Sequence, residues 1–147
     1  MTLLLAVHAA ATWTMVGVIW FVQLVHYPLL GGPGRASESG FAAYQHENTR
    51  RTSWVVVLPM TIEALTAAAL VALPVPGVPR AAVWTGLALV AVIWLSTALL
   101  QVPRHGRLER GYDEAAHHAL VTTNWLRTLA WSARGVLVLW LLARAAA

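Results

Sequence analysis

Polar residues in this chain recur at helical spacing inside a segment that ends almost purely apolar. Steps of four and three residues trace one such row: Asp113, His117, Leu120, Asn124, Arg127, Trp131 and Arg134. On an α-helix these positions form one slowly drifting face. The residues from Gly135 to Leu142 are nearly all hydrocarbon. The pattern predicts a helix from about Glu114 to Leu142, with Asp113 as its N-cap, whose outer part spans a membrane.

Three further segments have the length and apolarity of membrane spans. Residues 3–30 form an uncharged run longer than the roughly 20 residues that a helix needs to cross a bilayer. Because no basic residue precedes this run, we expect it to be retained as a membrane helix rather than removed as a signal peptide. The Gly-Gly-Pro-Gly sequence at 31–34 predicts that the helix ends near Tyr27-Pro28. The predicted spans are about 3–28, 54–73, 81–103 and 124–142.

The connections between these spans differ in character. Residues 37–51 predict an amphipathic helix that runs on into the second span, with Glu47 paired to Arg51 four residues later. The proline-rich segment 74–80 predicts a tight turn between neighbouring helices. Residues 104–112 predict a charged connector before the last helix.

Each of the other predicted helices also carries a polar stripe at helical spacing. The stripe of the first helix comprises His8, Thr12, Met15, Ile19, Gln23 and His26. The stripe of the second comprises His46, Thr49, Ser53, Val56, Met60 and Glu63. The stripe of the third comprises Trp94, Ala98, Gln101 and His105. The four stripes together predict a shared polar interior.

Composition supports a membrane protein. The 147 residues are 59% hydrophobic and 11% charged, whereas soluble domains carry about a quarter charged residues. The length predicts a single transmembrane domain, residues 1–147. The net charge of +4 comes from arginines in short loops and at helix ends, so we expect no nucleic-acid binding. The absence of cysteine excludes a disulfide framework, a thiolate metal site and a cysteine nucleophile.

Arginine positions predict the orientation. Segments 31–53 and 104–123 contain most of the loop arginines: Arg35, Arg50, Arg51, Arg104, Arg107 and Arg110. The opposite side contains only Arg80 and Arg144. The positive-inside rule then places both long connections in the cytosol and both termini outside the inner (plasma) membrane. The predicted fold is an all-α integral membrane four-helix bundle, up-down-up-down, with helices 2 and 4 extended into the cytosol.

Glu63 and Arg134 each lie nine residues beyond a tryptophan, Trp54 or Trp125, that is expected at the membrane interface. At about 1.5 Å per residue, both are about 14 Å deep, near the middle of a hydrocarbon core of about 30 Å. An isolated charge there costs at least about 2.5–3.5 kcal/mol, so we expect the two to face inward and interact. The pair either fixes helix register or forms a polar ligand pocket in which Glu63 accepts a proton and Arg134 anchors an anion.

Histidines supply the candidate metal ligands. One from each predicted helix falls near its cytosolic end: His26, His46, His105 and His117. Two or more imidazoles converging there would bind a transition metal or ligate haem b. The sequence contains no HExxH or other paired-histidine motif, so it does not specify whether a metal or a haem is bound. His8 is either a lone haem ligand or a hydrogen-bonded core residue.

Several short motifs occur together along most of the chain. They are His26-Tyr27-Pro28, Pro59-Met60 followed by Glu63, Gln101 with Pro103 and His105, and Asn124-Trp125 with Arg127. This combination resembles small four-helix bacterial membrane proteins of the anthrone-oxygenase-like group, whose Asn-Trp-x-Arg-like element in the last helix it matches. The resemblance implies a membrane-embedded oxidase or oxygenase that acts on an aromatic or quinone-like lipophile.

The predicted function is that of an oxidoreductase or oxygenase acting on a small lipophilic molecule that enters a polar pocket from the bilayer. In this pocket Glu63 or a histidine would accept a proton, while positively charged and amide side chains would stabilise an oxyanion: Arg127, Arg134 and Asn124. The candidate substrate-binding residues are Trp94, Trp131, Gln101 and Tyr44. Two alternatives stay open: a proton-coupled small-molecule transporter gated by Glu63 and Arg134, or a structural subunit of a membrane complex. The apolar surface is also compatible with a homo-oligomer.

Overall fold

Helices form every regular element in the described part of the chain, residues 1–73 and 75–146, of this computed structural model. The α-helices are α1 Thr2–Phe21, α2 Tyr27–Ala36, α3 Glu38–Ala72, α4 Arg80–Ser96, α5 Val102–Leu108 and α6 Glu114–Ala146. Two π-helical segments, Val22–His26 and Thr97–Gln101, join α1 to α2 and α4 to α5 without a break. The side chains of Glu38 and Ser39 are outside the described set.

Four helical stretches are long and apolar enough to cross a membrane: Thr2–Ala36, Gly40–Ala72, Arg80–Leu108 and Glu114–Ala146. Helix α1 packs against α3 and α6, and α4 packs against the same two helices, so the four stretches form a bundle. The predicted all-α class and the four membrane-grade helices are confirmed.

The first helix does not end near Tyr27-Pro28, as predicted, but continues to Ala36. Pro28 follows directly on the π-helical segment Val22–His26, where the α-helical hydrogen-bond pattern is already interrupted, so its missing backbone N–H does not end the helix. Gly34 serves packing rather than termination, because a Cβ there would overlap the ring of Tyr112. Close contact with the segment before α6 therefore extends the helix through a sequence that by itself predicts a break.

The predicted charged connector at 104–112 is helical in its first half, since α5 ends at Leu108. Leu108 is fully buried in an apolar cluster with Phe41 and Leu120, which explains why the helix continues. Beyond it, Gly111 turns the chain with a φ of +145°. The Oδ1 atom of Asp113 then accepts a hydrogen bond from the backbone N–H of Ala116 at 2.9 Å, so the predicted N-cap is confirmed.

Helix α3 confirms that the helix predicted for residues 37–51 runs on into the second span, and it passes through Pro59 without ending. The Nε atom of Arg51 donates to the Glu47 carboxylate at 2.6 Å, as predicted from their spacing. Midway along the bundle, a central cluster of buried side chains from α1, α3, α4 and α6 includes Met15, Ile19, Met60, Ile93 and Trp131. The polar side chains described below lie on either side of this cluster.

Candidate functional site

Glu63 and Arg134 form a salt bridge inside the bundle. The Nε atom of Arg134 donates to Glu63 Oε1 at 2.7 Å, and both side chains are 1% exposed. The indole Nε1 of Trp131 donates to the other carboxylate oxygen, Oε2, at 2.9 Å. Both carboxylate oxygens are therefore hydrogen-bonded, and the predicted interaction between Glu63 and Arg134 is confirmed.

The rest of the Arg134 guanidinium is also hydrogen-bonded. One terminal nitrogen donates to the backbone carbonyl of Gly86, and the other lies 3.3 Å from His8 Nε2. Because arginine only donates, His8 Nε2 accepts and Nδ1 carries the proton, which it donates to Thr66 Oγ1 at 2.7 Å. His8 is thus a hydrogen-bonded core residue. The network links α1, α3, α4 and α6.

The space beside this network is very small. A cavity of about 10 Å³ adjoins Arg134 and His8, which is at most enough for one water molecule. This geometry favours the register-fixing alternative for the pair over the pocket alternative.

A larger cavity lies on the other side of the central cluster. Its volume is about 250 Å³, and an apolar cavity of about 150 Å³ is enough to bind benzene. Apolar side chains form part of its wall: Met15, Val18, Ile19, Val22, Val56, Met60, Val102 and Trp131. Polar side chains form the remainder: Tyr27, Thr49, Thr52, Ser53, Thr97, Gln101, His105, Glu109 and Arg127. The cavity is therefore suited to a small aromatic molecule that also carries polar atoms.

Arg127 is the cation of this wall, and it is 8% exposed. Its guanidinium donates to Asn124 Oδ1 from two nitrogens, to the Tyr27 hydroxyl at 3.3 Å and to Thr97 Oγ1 at 3.3 Å. Four of the five guanidinium N–H groups are then used. Among the residues whose side chains the structure describes, which leave out Glu38, no carboxylate lies within salt-bridge distance of Arg127. The site therefore holds a buried positive charge that has no salt bridge to the described carboxylates, although Glu109 lines the same cavity.

Asn124 orients the Arg127 guanidinium although it does not itself reach the cavity. It is fully buried and does not line the cavity. Its Nδ2 atom donates to Gln23 Oε1 at 2.9 Å, and Gln23 in turn donates to the backbone carbonyl of Val121 at 3.2 Å. With its amide nitrogen held in this way, Asn124 turns its Oδ1 atom towards the guanidinium.

Tyr27 and His105 form a second hydrogen-bonded chain on the polar wall. The Tyr27 hydroxyl lies 2.9 Å from His105 Nε2, and Gln45 Nε2 lies 2.9 Å from His105 Nδ1. Because an amide nitrogen only donates, Nδ1 accepts, and the imidazole proton on Nε2 is donated to the Tyr27 oxygen. That oxygen also accepts from Arg127. The proton of the Tyr27 hydroxyl is thus left for a partner in the cavity.

The two π-helical segments set which residues face the cavity. A π turn contains more residues per turn than an α turn, so the inward face shifts by about one position across it. The stripes predicted with constant α-helical spacing placed His26 and Trp94 on the inward face. In the structure Tyr27 and Ile93 face inward instead, and they are 4% and 1% exposed. Trp94 is 42% exposed and does not line the cavity, so its predicted substrate-binding role stays a prediction.

The remaining predicted site residues separate into three groups. Gln101 and Trp131 line the cavity together with Arg127, and the buried Gln101 Oε1 atom has no hydrogen-bond partner among the described residues. Glu63, Arg134 and Asn124 support the cavity without lining it. Tyr44 is 47% exposed and lies away from it, because its helical neighbour Phe41 takes the buried position.

The four candidate metal ligands are not brought together. His105 bonds to Tyr27 and Gln45, and His117 Nε2 bonds to the backbone oxygen of Tyr27 at 2.7 Å. His46 is largely exposed, and His26 borders a separate groove. Across the described residues, no three histidine or acidic side chains form a group that could hold a metal ion. These residues therefore do not fit a metal-ligand set, and the predicted metal or haem stays a prediction.

Tyr27 and Glu109 line the cavity, although neither was among the predicted site residues. Tyr27 follows Gln23 by four residues, so a step of four instead of three would have placed it on the inward stripe. Glu109, the only acid among the described cavity-lining residues, was assigned to the connector. It lines the cavity because α5 extends farther than its composition predicts.

Comparisons of the chain with protein-family models, with curated proteins and with solved structures found no match. The class of protein is therefore described by its fold and its site alone. The chain is an all-α protein with four helices able, by length and composition, to cross a membrane, and it has a partly polar, partly open cavity beside a buried arginine.

Proposed function

We propose that this chain is an integral membrane protein that binds a small lipophilic molecule with an acidic oxygen, such as a phenol, a quinol or an enol. The observation that carries the proposal is Arg127, a buried cation on the cavity wall without an acidic partner among the described residues. Burying an unpaired charge is costly, and a ligand oxyanion would supply the missing negative charge. The free proton of the Tyr27 hydroxyl provides a second donor to the same oxygen.

We further propose that the bound molecule is oxidised, as the resemblance to the anthrone-oxygenase-like group implies. A substrate CH₂ group activated by an adjacent aromatic ketone loses a proton, and Arg127 and Tyr27 stabilise the resulting oxyanion. Dioxygen is the oxidant, and the net change is R₂CH₂ + O₂ → R₂C=O + H₂O. Glu109 is the proposed proton acceptor, because it lines the cavity and its nearest cationic partner is the exposed His46 at 4.0 Å, whereas Glu63 is buried and paired with Arg134 at 2.7 Å.

We also propose that the protein lies in the inner membrane. Its four helices would alternate in direction, up-down-up-down, and both termini would lie outside. The arginine distribution supports this orientation. Since the chain contains no cysteine, single cysteines can be introduced at Pro76 and Arg110, which lie in exposed turns. A membrane-impermeant thiol reagent applied to intact cells should label Pro76→Cys but not Arg110→Cys. The opposite labelling pattern would reverse the orientation.

Binding can be tested with an alkyl-substituted 4-nitrophenol, whose absorbance reports its ionisation. An arginine close to an acid typically lowers the acid's pKa by about 1–3. We therefore expect the pKa of the bound probe to be lower in the wild type than in Arg127→Met. Arg144→Gln is the matched control, because it removes one exposed arginine away from the cavity. Equal probe pKa values in the wild type and Arg127→Met would contradict the proposal.

Catalysis is tested separately from binding. Purified protein should accelerate oxygen uptake by an anthrone, and Glu109→Gln should reduce the rate while the nitrophenol probe still binds. Probe binding without accelerated oxygen uptake would leave a binding protein rather than an enzyme. Elemental analysis and a visible spectrum of the same sample test the predicted transition metal or haem b; a Soret band or a stoichiometric metal would replace the cofactor-free scheme.

The transport alternative makes a different prediction. In a proton-coupled transporter gated by the ion pair, Glu63→Gln would abolish uptake into vesicles. The two hydrogen-bonded carboxylate oxygens of Glu63 and its 1% exposure favour a structural role instead.

A further inference from the structure

A groove on the outside of the bundle adjoins the cavity. It has a volume of about 340 Å³ and is formed by α1, the following π segment and α3. Most of its lining is apolar, including Gly17, Phe21 and Val55. Four residues line both the groove and the cavity: Val18, Val22, Thr52 and Val56. The two spaces are therefore neighbours across these shared side chains.

We propose that this groove holds the apolar tail of the ligand whose acidic head occupies the cavity. The ligand would then be an amphiphile, an aromatic or quinone-like head with an alkyl or prenyl chain, rather than a compact ring system. This inference rests on the proposed function and adds the class of substrate to it.

Cavity size supports a ligand that extends beyond the cavity. About 150 Å³ accommodates benzene, so the 250 Å³ cavity holds an aromatic head of one or two rings and little more. A chain on that head would leave the cavity either beside the polar residues Ser53 and Glu109 or through the wall that the cavity shares with the groove, next to Val18 and Val56. The polar route would expose the chain to water, whereas the groove keeps it in the hydrocarbon of the bilayer. The chain is therefore expected in the groove.

Gly17 leaves the groove open. A Cβ built at Gly17 meets nothing within 4 Å, so a side chain added there starts in open space on the groove wall. Gly106 lines the cavity, and Gly32 lies outside both the groove and the cavity. Both are equally open at Cβ. The same substitution to leucine can therefore be made at three helical glycines. At Gly17 it tests the groove, at Gly106 the polar route, and at Gly32 the general effect of a leucine.

The experiment compares two 4-nitrophenol probes, one with a methyl and one with a dodecyl substituent, in phosphatidylcholine nanodiscs. Gly17→Leu should weaken binding of the dodecyl probe at least tenfold and that of the methyl probe less than twofold. Gly17→Ala should give a smaller effect in the same direction. Gly32→Leu should change neither affinity. Gly106→Leu should affect both probes equally, because it acts on the head.

Two results would overturn the inference. One is equal affinity of the dodecyl probe for the wild type and Gly17→Leu; the other is a selective loss of dodecyl binding in Gly106→Leu, which would place the tail in the polar route. If the methyl probe binds through Arg127 in either case, the proposed function stands and only the tail site fails. If neither probe responds to Arg127→Met, the proposed function itself fails.

Discussion

Removing one member of the Glu63–Arg134 pair should be far more harmful than removing both. Glu63→Leu leaves the Arg134 guanidinium buried without its carboxylate and deprives the Trp131 indole N–H of its acceptor. Breaking a buried ion pair on one side typically costs about 3–5 kcal/mol. We therefore expect the free energy of unfolding to fall by at least about 3 kcal/mol, more than a hundredfold in the folding equilibrium.

The double variant Glu63→Leu/Arg134→Met removes both charges and fills the space with apolar side chains. Such replacements are often neutral or stabilising by about 1–4 kcal/mol. Here the Gly86 carbonyl, His8 Nε2 and the Trp131 N–H each lose a partner, which offsets that gain. We expect the double variant to lie within about 2 kcal/mol of the wild type and to be more stable than Glu63→Leu alone.

The assay is reversible unfolding in mixed micelles of the wild type, both single variants and the double variant, with nitrophenol binding measured on the same samples. A register-fixing pair predicts that the double variant recovers stability and retains the probe pKa set by Arg127. Strictly additive losses in the two single variants would refute the coupling. A double variant that is folded but no longer binds the probe would place the pair in the ligand site.

Further predictions concern packing, capping and the site. Gly34→Ala should lower the free energy of unfolding by about 1–3 kcal/mol, because its Cβ would overlap the Tyr112 ring. Gly32→Ala is the control and should be neutral or stabilising by up to about 1 kcal/mol. Thermal unfolding of the two variants tests this difference. Asp113→Ala removes the N-cap of α6 and should cost about 1 kcal/mol, with faster amide exchange confined to its first turn. Tyr27→Phe removes one neutral donor, so probe affinity should fall by up to about tenfold, and an unchanged affinity would exclude this hydroxyl from the site.

Properties that depend on one segment at a time could be predicted from the sequence. Hydropathy and length predicted the four helices, because a backbone in an apolar surrounding has to satisfy its hydrogen bonds within the helix. The side chain of Asp113 predicted the start of α6, because a cap needs only its own first turn. Matched distances from the flanking tryptophans predicted the Glu63–Arg134 contact, because two opposite charges at one depth are stable only when paired.

Only the tertiary structure decided the helix ends near Gly34 and Leu108, the inward position of Tyr27 and the presence of a cavity beside Arg127. Each depends on residues far apart in the chain: Gly34 continues its helix against Tyr112, and Leu108 does so within a cluster that includes Leu120. Each π segment shifts the inward-facing positions on one side of it by about one residue relative to the other side. A prediction that uses constant α-helical spacing misses this shift. Which polar stripe contacts which neighbour, and where a space remains between them, follows from packing of the four helices together and not from any one of them.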